Sequence, residues 1–482
     1  MDLELSLDPD DAPRLLRLPL LAAGTRGRGQ AQRIVWHDSA DAALTAAGLA
    51  LAQERGTWRL EKLVPEPTEA WPPGAPPPIL AVAAEQAGLG HDLPSPLAPV
   101  VGFAGRQRGV ALTTEQGTAT LTLVRGTLRA VTAEHGVARL HLSGDERAVR
   151  AVALTLADAV PLAVAPATLA GEALAAARAA DLPARRLGAP ELPEALGTTD
   201  AFAFAVAHLT DVVLHFAPAA AADRSGPEPV HQMRVALRRL RSAVAMFRAL
   251  LDCPELHEAA LGLKALSQRL GPTRDWDVFL SETLPTVSAA FPREERLARL
   301  TTAAARRRRE CHVALRAFLE GVEFRKLGIA LAWLAGARCW YPPMPEAEAP
   351  VPLERFASEV LGRRVRKLEG SDDMAGLDAP ALHALRLRAK RVRYAAEIFA
   401  PLYPGKGPRR FIHRLAAVQD GLGMLNDRAT AETLLAELGG PSGRHGYAVG
   451  LVIGFTAANT TELLPRVVRQ WEKFRRAPRF WS

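Results

Sequence analysis

The chain has 482 residues, of which 48% are apolar and 23% charged; this excludes a disordered chain and is too long for one ordinary core. Its net charge of +8 hides an asymmetry, with −5 over residues 1–200 and +13 over residues 201–482. A polyanionic partner is therefore expected at the C-terminal part.

The first 165 residues read as short strands with interspersed helices. Strands are predicted at 3–7, 32–39, 57–64, 109–114, 118–132 and 138–144, several of them alternating apolar and polar residues. Helices are predicted at 39–51 and 145–160. The proline-dense stretch PEPTEAWPPGAPPP (65–78) predicts a surface loop. Residues 1–174 are taken as one domain and 175–197 as a linker, because composition shifts there. From 198 to 482 strand signals vanish, and eight to ten helices are expected. A break at WYPPMPEAEAPVP (340–352) divides that region into halves of about 198–340 and 353–482. The expected fold class is multi-domain α+β, an antiparallel β-barrel followed by an all-α duplicated helical bundle.

The helical part opens its first half with HQMRVALRRLRSAVAMF (231–247) and its second with HALRLRAKRVRYAAEIF (383–399). At 100° per residue, His231, Arg234, Arg238 and Arg241 fall within an arc of about 80°. Met233, Leu237, Leu240, Val244 and Phe247 lie opposite, giving an amphipathic helix with a cationic face. His383, Arg386, Lys390 and Arg393 repeat that arc, with Leu385, Val392, Ala396 and Phe399 behind; Arg239 and Arg391 flank the two arcs. From His231 to Arg248 there is no acidic residue. Like charges at i,i+3 and i,i+4 destabilise a helix, so a face of one sign, present twice, anticipates an anion. A solvated helix face is the plainer alternative.

One offset of 152 residues relates the halves. It carries His231 to His383, the arginines to Arg386, Lys390, Arg391 and Arg393, Phe247 to Phe399, Leu270-Gly271 to Leu422-Gly423, and Asp275 to Asp427. Two similar bundles brought together by a pseudo-two-fold axis are predicted.

The pattern H-x-x-R-x-x-x-[RK]-R-x-R followed by LGxxxD, present twice, resembles the CHAD family, the conserved histidine α-helical domain, over about 198–482. The resemblance implies binding of inorganic polyphosphate by His231, Arg234, Arg238, Arg239, Arg241, His383, Arg386, Lys390, Arg391 and Arg393, in a groove between two bundles. The N-terminal part is similar to the CYTH family, a closed antiparallel triphosphate tunnel whose ExExK strand binds metal and phosphate. Here that strand reads Asp2-Leu3-Glu4-Leu5-Ser6, so its lysine is a serine. No carboxylate precedes Asp145 in VARLHLSG (137–144). Phosphoryl transfer needs metal-holding carboxylates and clamping cations, so a degenerate domain is expected, with no catalytic residues, no metal and no cofactor.

Arginine forks match phosphate oxygens, and residues at i, i+3, i+7 and i+10 place a rung about every 5 Å. Two roles fit the histidines: donation to phosphate, or a structural link between bundles. Asp275 and Asp427 are expected to cap a helix or orient a ladder cation, and RRRR (306–309) to extend the basic surface in part. The leading expectation is non-catalytic polyphosphate binding, with association to polyphosphate granules. A triphosphatase in the N-terminal tunnel fed by the helical part is the first alternative, and a nucleic-acid binder the second. The ladder faces lack the aromatics that single-strand binders stack on bases, which makes nucleic acid an unlikely partner. Cys253, Cys311 and Cys339 suit neither a zinc site nor a disulfide framework, so a reducing cytoplasm is expected. No run of about 18 apolar residues predicts a membrane span, and the acidic start is unlike a signal peptide.

Overall fold

A computed structural model describes residues 1–89, 93–131, 133–339, 351–370, 374, 376–460 and 463–481. Most of the expected break at 340–352 lies outside the described residues. Ten strands form one antiparallel sheet: β1 Asp2–Leu7, β2 Thr25–Arg26, β3 Gln30–Asp38, β4 Leu49–Glu54, β5 Thr57–Lys62, β6 Ile79–Ala83, β7 Ala98–Thr114, β8 Gly117–Ala130, β9 Glu134–Gly144 and β10 Leu162–Val164. Their order is β10-β1-β9-β8-β7-β3-β4-β5-β6, with β2 paired to β7 off this path. The sheet curls but is not closed by hydrogen bonds, since β6 and β10 stand at opposite edges. The curl brings Glu4 of β1 close enough to Glu61 of β5 to disfavour its ionisation, although burial is the main cause of the raised Glu61 pKa.

Strands β2, β6 and β10 and helices α1 (Ala12–Leu15) and α2 (Pro19–Ala22) were not expected, the described residues from 198 onward hold eleven α-helices rather than eight to ten, and three further elements differ from the sequence expectation. The helix at 39–51 is a single turn, α3 (Ala43–Ala46), followed by strand β4. Gly48 at φ +74° ends that turn, and β4 pairs with both β3 and β5, so tertiary pairing overrides the helical propensity of an alanine-rich stretch. Strand β7 is 17 residues long, of which only its end, 109–114, was expected. The expected linker begins inside α5 (Leu169–Arg178).

The short helices α1 (Ala12–Leu15), α2 (Pro19–Ala22) and α3 decorate the sheet. Ala170, Ala173 and Leu174 of α5 share a core with Ile34, Trp36, Val101, Phe103, Leu128 and Val137. This helix therefore packs against the inner face of the curl. The other face carries Leu3, Leu5, Leu121, Leu140 and Leu142, which share a core with Val149, Val152 and Leu156 of α4 (Glu146–Ala159).

The helical part comprises α6 (Thr198–Ala222), α7 (Glu228–Phe247), α8 (Pro254–Val278), a π-helical turn at Phe279–Thr283, α9 (Leu284–Ala290), α10 (Glu295–Leu319), α11 (Val322–Gly336), α12 (Leu353–Glu369), α13 (Ala379–Phe399), α14 (Gly407–Glu437), α15 (Gly446–Thr460) and α16 (Leu463–Arg475). Helix α6 is long and apolar enough to cross a membrane, yet 72% of its most apolar window is buried within the fold. Helix α11 docks the two parts. Trp333 Nε1 donates to Glu146 O at 2.9 Å, and Lys326 pairs with Asp158 at 2.6 Å.

The residues expected behind the cationic arcs are buried: Met233, Leu237, Leu240 and Phe247 on α7, and Leu385, Val392, Ala396 and Phe399 on α13. Phe247 and Phe399, related by the repeat, meet at 6.2 Å between ring centroids, and Phe356 of α12 touches both at 4.9 and 6.0 Å. This aromatic seam fixes the pose of α7 against α13. Truncating a fully buried phenylalanine costs about 3–5 kcal/mol, so Phe247→Ala and Phe399→Ala should each lower urea-unfolding stability by that amount. A loss under about 1 kcal/mol for both would show that the seam does not hold the helices.

Candidate anion-binding cleft

Helices α7 and α13 wall a cleft of about 1090 Å³, completed by residues of α8, α12 and α14. Ten lysines and arginines and two histidines line it, against two carboxylates, Asp275 and Asp427. Eight of the ten residues singled out by sequence are among them: His231, Arg234, Arg238, Arg241, His383, Arg386, Lys390 and Arg391. The two cationic faces thus converge on one space.

Arg239 and Arg393 are placed elsewhere. Arg239 Nε and Nη2 both donate to Glu397 Oε2, at 3.0 and 2.9 Å, and Arg393 Nε donates to Glu397 Oε1 at 2.6 Å. One carboxylate therefore binds both guanidiniums. The repeat puts Ala245 where Glu397 stands, and Ala245 lines the cleft. With no acid there, Arg241 and Arg391, the repeat equivalents of Arg393 and Arg239, are left to the cleft.

The remaining cations are held by few internal anions. Arg234 Nη1 donates to Asp275 Oδ1 at 2.9 Å and to Gly271 O at 2.6 Å, so Asp275 orients a ladder cation, one of its two expected roles. Among the described residues, Arg238, Arg386 and Lys390 form no salt bridge. His383 Nδ1 lies 2.6 Å from Asn426 Oδ1; the carbonyl oxygen accepts, so the proton sits on Nδ1 and Nε2 is left for another partner. His231 is half-buried, and burial together with Arg274 lowers its pKa.

Sequence reasoning missed the third wall. Arg363, Arg364 and Lys367 of α12 line the cleft, and Arg364 Nη1 donates to Ser242 Oγ and to Arg391 O at 3.0 and 2.6 Å. The signal was present as LGRRVRK (361–367), a cationic run at i,i+1,i+4. The RRRR run does not line the cleft. Arg308 binds Asp277 and Asp223, and Arg307 binds Glu310 and Glu437.

Electrostatics and burial act together on Lys390. Burial first, then Arg238, Arg386 and Arg234, depress its pKa from 10.5 to about 7. Arg364 is lowered to about 10 by burial and by Arg391 and Arg363. Burial lowers Arg386 and raises Asp427. The cleft thus resists its own full charge.

The fold and the cleft together define a duplicated helical module with a cationic cleft. Residues 203–436 match the family model described as the CHAD domain, and the helical part of this chain is a CHAD domain. The chain is similar to the crystal structure of the CHAD domain from the plant Ricinus communis, at 27% identity and a TM-score of 0.52, over 61% of this chain and 99% of that one. It is also similar to PptA from Streptomyces chartreusis, at 19% identity and a TM-score of 0.42, over 57% and 100%. A further similarity is to the putative adenylyl cyclase HpAC1 from Hippeastrum, at 12% identity and a TM-score of 0.25, over 35% and 91%. No curated protein matches the chain.

The Lys390 pKa carries a sign that can be checked. A folded-state value of about 7 against an ordinary 10.5 means that the unfolded chain holds more protons between those pH values. The empty protein is therefore penalised fully below about pH 7, and the penalty fades as pH rises toward 10.5. Lys390→Met should raise stability more at about pH 6.5 than at about pH 9.5, measured by urea unfolding without phosphate. Equal gains at both would contradict a depressed Lys390.

Proposed function

We propose that this protein binds inorganic polyphosphate in the cleft between α7 and α13 and does not turn it over. The observation that carries this function is a half-buried space lined, among the described residues, by ten lysines and arginines and two carboxylates. Such a surplus suits a ligand with repeated charge and no bases. Guanidiniums pair with phosphate oxygens at about 1.5–3 kcal/mol per charged hydrogen bond. Contacts on two walls sum through effective concentration. The CHAD domain is associated with polyphosphate through the family resemblance, which supports the same ligand. Cytoplasmic binding at polyphosphate granules follows as part of the proposal.

The N-terminal sheet supports a passive role. Its candidate metal carboxylates already have partners: Glu4 pairs with Arg139 at 3.4 Å, and Asp2 with His141 at 3.3 Å. Arg139 is also bound by Glu172 of α5, the helix whose apolar side packs on the inner face of the curl. Cations there that would clamp a triphosphate instead meet carboxylates of the chain.

The test uses the full chain, long-chain polyphosphate and fluorescence anisotropy. Changing Arg234, Arg238, Arg386 and Lys390 together to glutamine should weaken binding at least ~100-fold while the far-ultraviolet circular dichroism stays unchanged. Binding within about threefold of wild type would place the polymer elsewhere. The unmodified chain with Mg²⁺ or Mn²⁺ should release no phosphate from tripolyphosphate; release would establish a triphosphatase instead.

A further inference from the structure

The cleft is not uniform along its length. At the end where α7 and α13 begin, its walls turn apolar. Val235 and Leu387 line it there, and the repeat offset relates them to each other; Phe279 and Ala431 form a second related pair, joined by Leu434. Leu387 is 41% exposed, an apolar side chain facing the opening rather than the core. Polar groups stand among these residues: Thr283, Thr430 and Asn426. Asn426 spans His383 and Thr430, accepting from the former and donating to the latter at 3.1 Å.

The other end differs in kind. Arg363, Arg364 and Lys367 crowd it, and the repeat supplies no matching cations. Their equivalents by offset are Asp211, Val212 and His215, and Asp211 is bound to Arg185 at 2.8 Å. The cleft is thus cationic at one end and through its middle, and mixed at the other, where the apolar pairs stand among hydrogen-bonding groups, Arg274 and the carboxylates Asp275 and Asp427. An inorganic phosphate chain gains nothing from Val235 and Leu387, since an anion against an apolar wall loses water without a replacement partner. A ligand with an uncharged planar head and a phosphate tail uses both ends. A long acyl or prenyl tail would not use the amide and hydroxyls beside the apolar pairs, whereas the edge of a nucleobase would. A volume of about 1090 Å³ is at the upper end of small-molecule sites.

We propose that the histidine end of the cleft is a nucleobase subsite, so that the protein also takes free nucleoside oligophosphates, with the base between Val235 and Leu387 and the phosphates on Arg234, Arg238, Arg386 and Lys390. The proposal rests on the polyphosphate function above for its phosphate half and adds the chemical class of the head.

The experiment displaces labelled long-chain polyphosphate from the full chain with ATP or with tripolyphosphate, in metal-free buffer at matched ionic strength. ATP carries less charge than tripolyphosphate, so charge alone ranks it as the weaker competitor. The subsite predicts the reverse order, with ATP about tenfold tighter, equivalent to ~1.4 kcal/mol. Leu387→Asn should reduce ATP affinity about fivefold and move tripolyphosphate by less than twofold, which a structural defect would not do. Lys390→Gln should weaken both competitors. ATP equal to or weaker than tripolyphosphate, or equal losses for both in Leu387→Asn, would overturn the subsite while leaving the polyphosphate function standing. Failure of the wild-type protein to bind the labelled polymer at all would remove the polyphosphate function and the subsite with it.

Discussion

The structure depends on holding like charges together with too few internal counter-ions to match them. Two helices turn guanidiniums and an ammonium toward a shared space, and each half-buried cation there raises the cost of the next. The depressed Lys390, at about 7, shows the extent of that cost. It is offset on the far side of the same helices, where Phe247, Phe356 and Phe399 form a dry seam. The hydrophobic effect is indifferent to direction, so apolar burial on one face can oppose repulsion on the other. Amphipathicity here separates the force that builds the module from the force that it stores for a ligand.

Duplication alone would have given a symmetric cleft, and the departures from symmetry decide its character. Glu397 binds Arg239 and Arg393, whereas Ala245 at the equivalent position leaves Arg241 and Arg391 lining the cleft. A single glutamate in place of an alanine therefore changes which cations are structural and which face the opening. The same holds for α12 against α6: the former contributes Arg363, Arg364 and Lys367, the latter a carboxylate bound to Arg185. The ancestral repeat is visible in the backbone pattern, and its divergence lies in a few charge changes.

Much of the helical part was legible in the sequence because its signal is local. The 3.6-residue period places Met233, Leu237 and Phe247 on one face whatever they pack against, and the one offset of 152 exposes the duplication. The six lysines and arginines and the two histidines of α7 and α13 that line the cleft follow from those two facts. The α12 cations do not, because nothing local says that this helix lies beside α7. Nor could sequence reveal the commitment of Arg239 to Glu397, which it reaches across the interface between α7 and α13; the Arg393–Glu397 pair is i,i+4 on one helix and was open to a local reading. In the sheet, misreading β4 as part of a helix has the opposite cause: its local propensity is helical, and pairing with β3 and β5 overrules it. Helix α5 was hidden for a similar reason, its alanine-rich segment having been divided between domain and linker.

Helix α11 lies between α4 on one side and α6 and α8 on the other, and the apolar cluster runs through it from the sheet into the bundle without a polar break. The chain is therefore not two beads on a string. Severing it near residue 190 would leave each fragment with a raw, sticky wound where the other had been, so neither half is a faithful miniature of its share of the whole. The curled sheet covers, through α4 and α11, apolar surface that the helical part would otherwise turn to solvent.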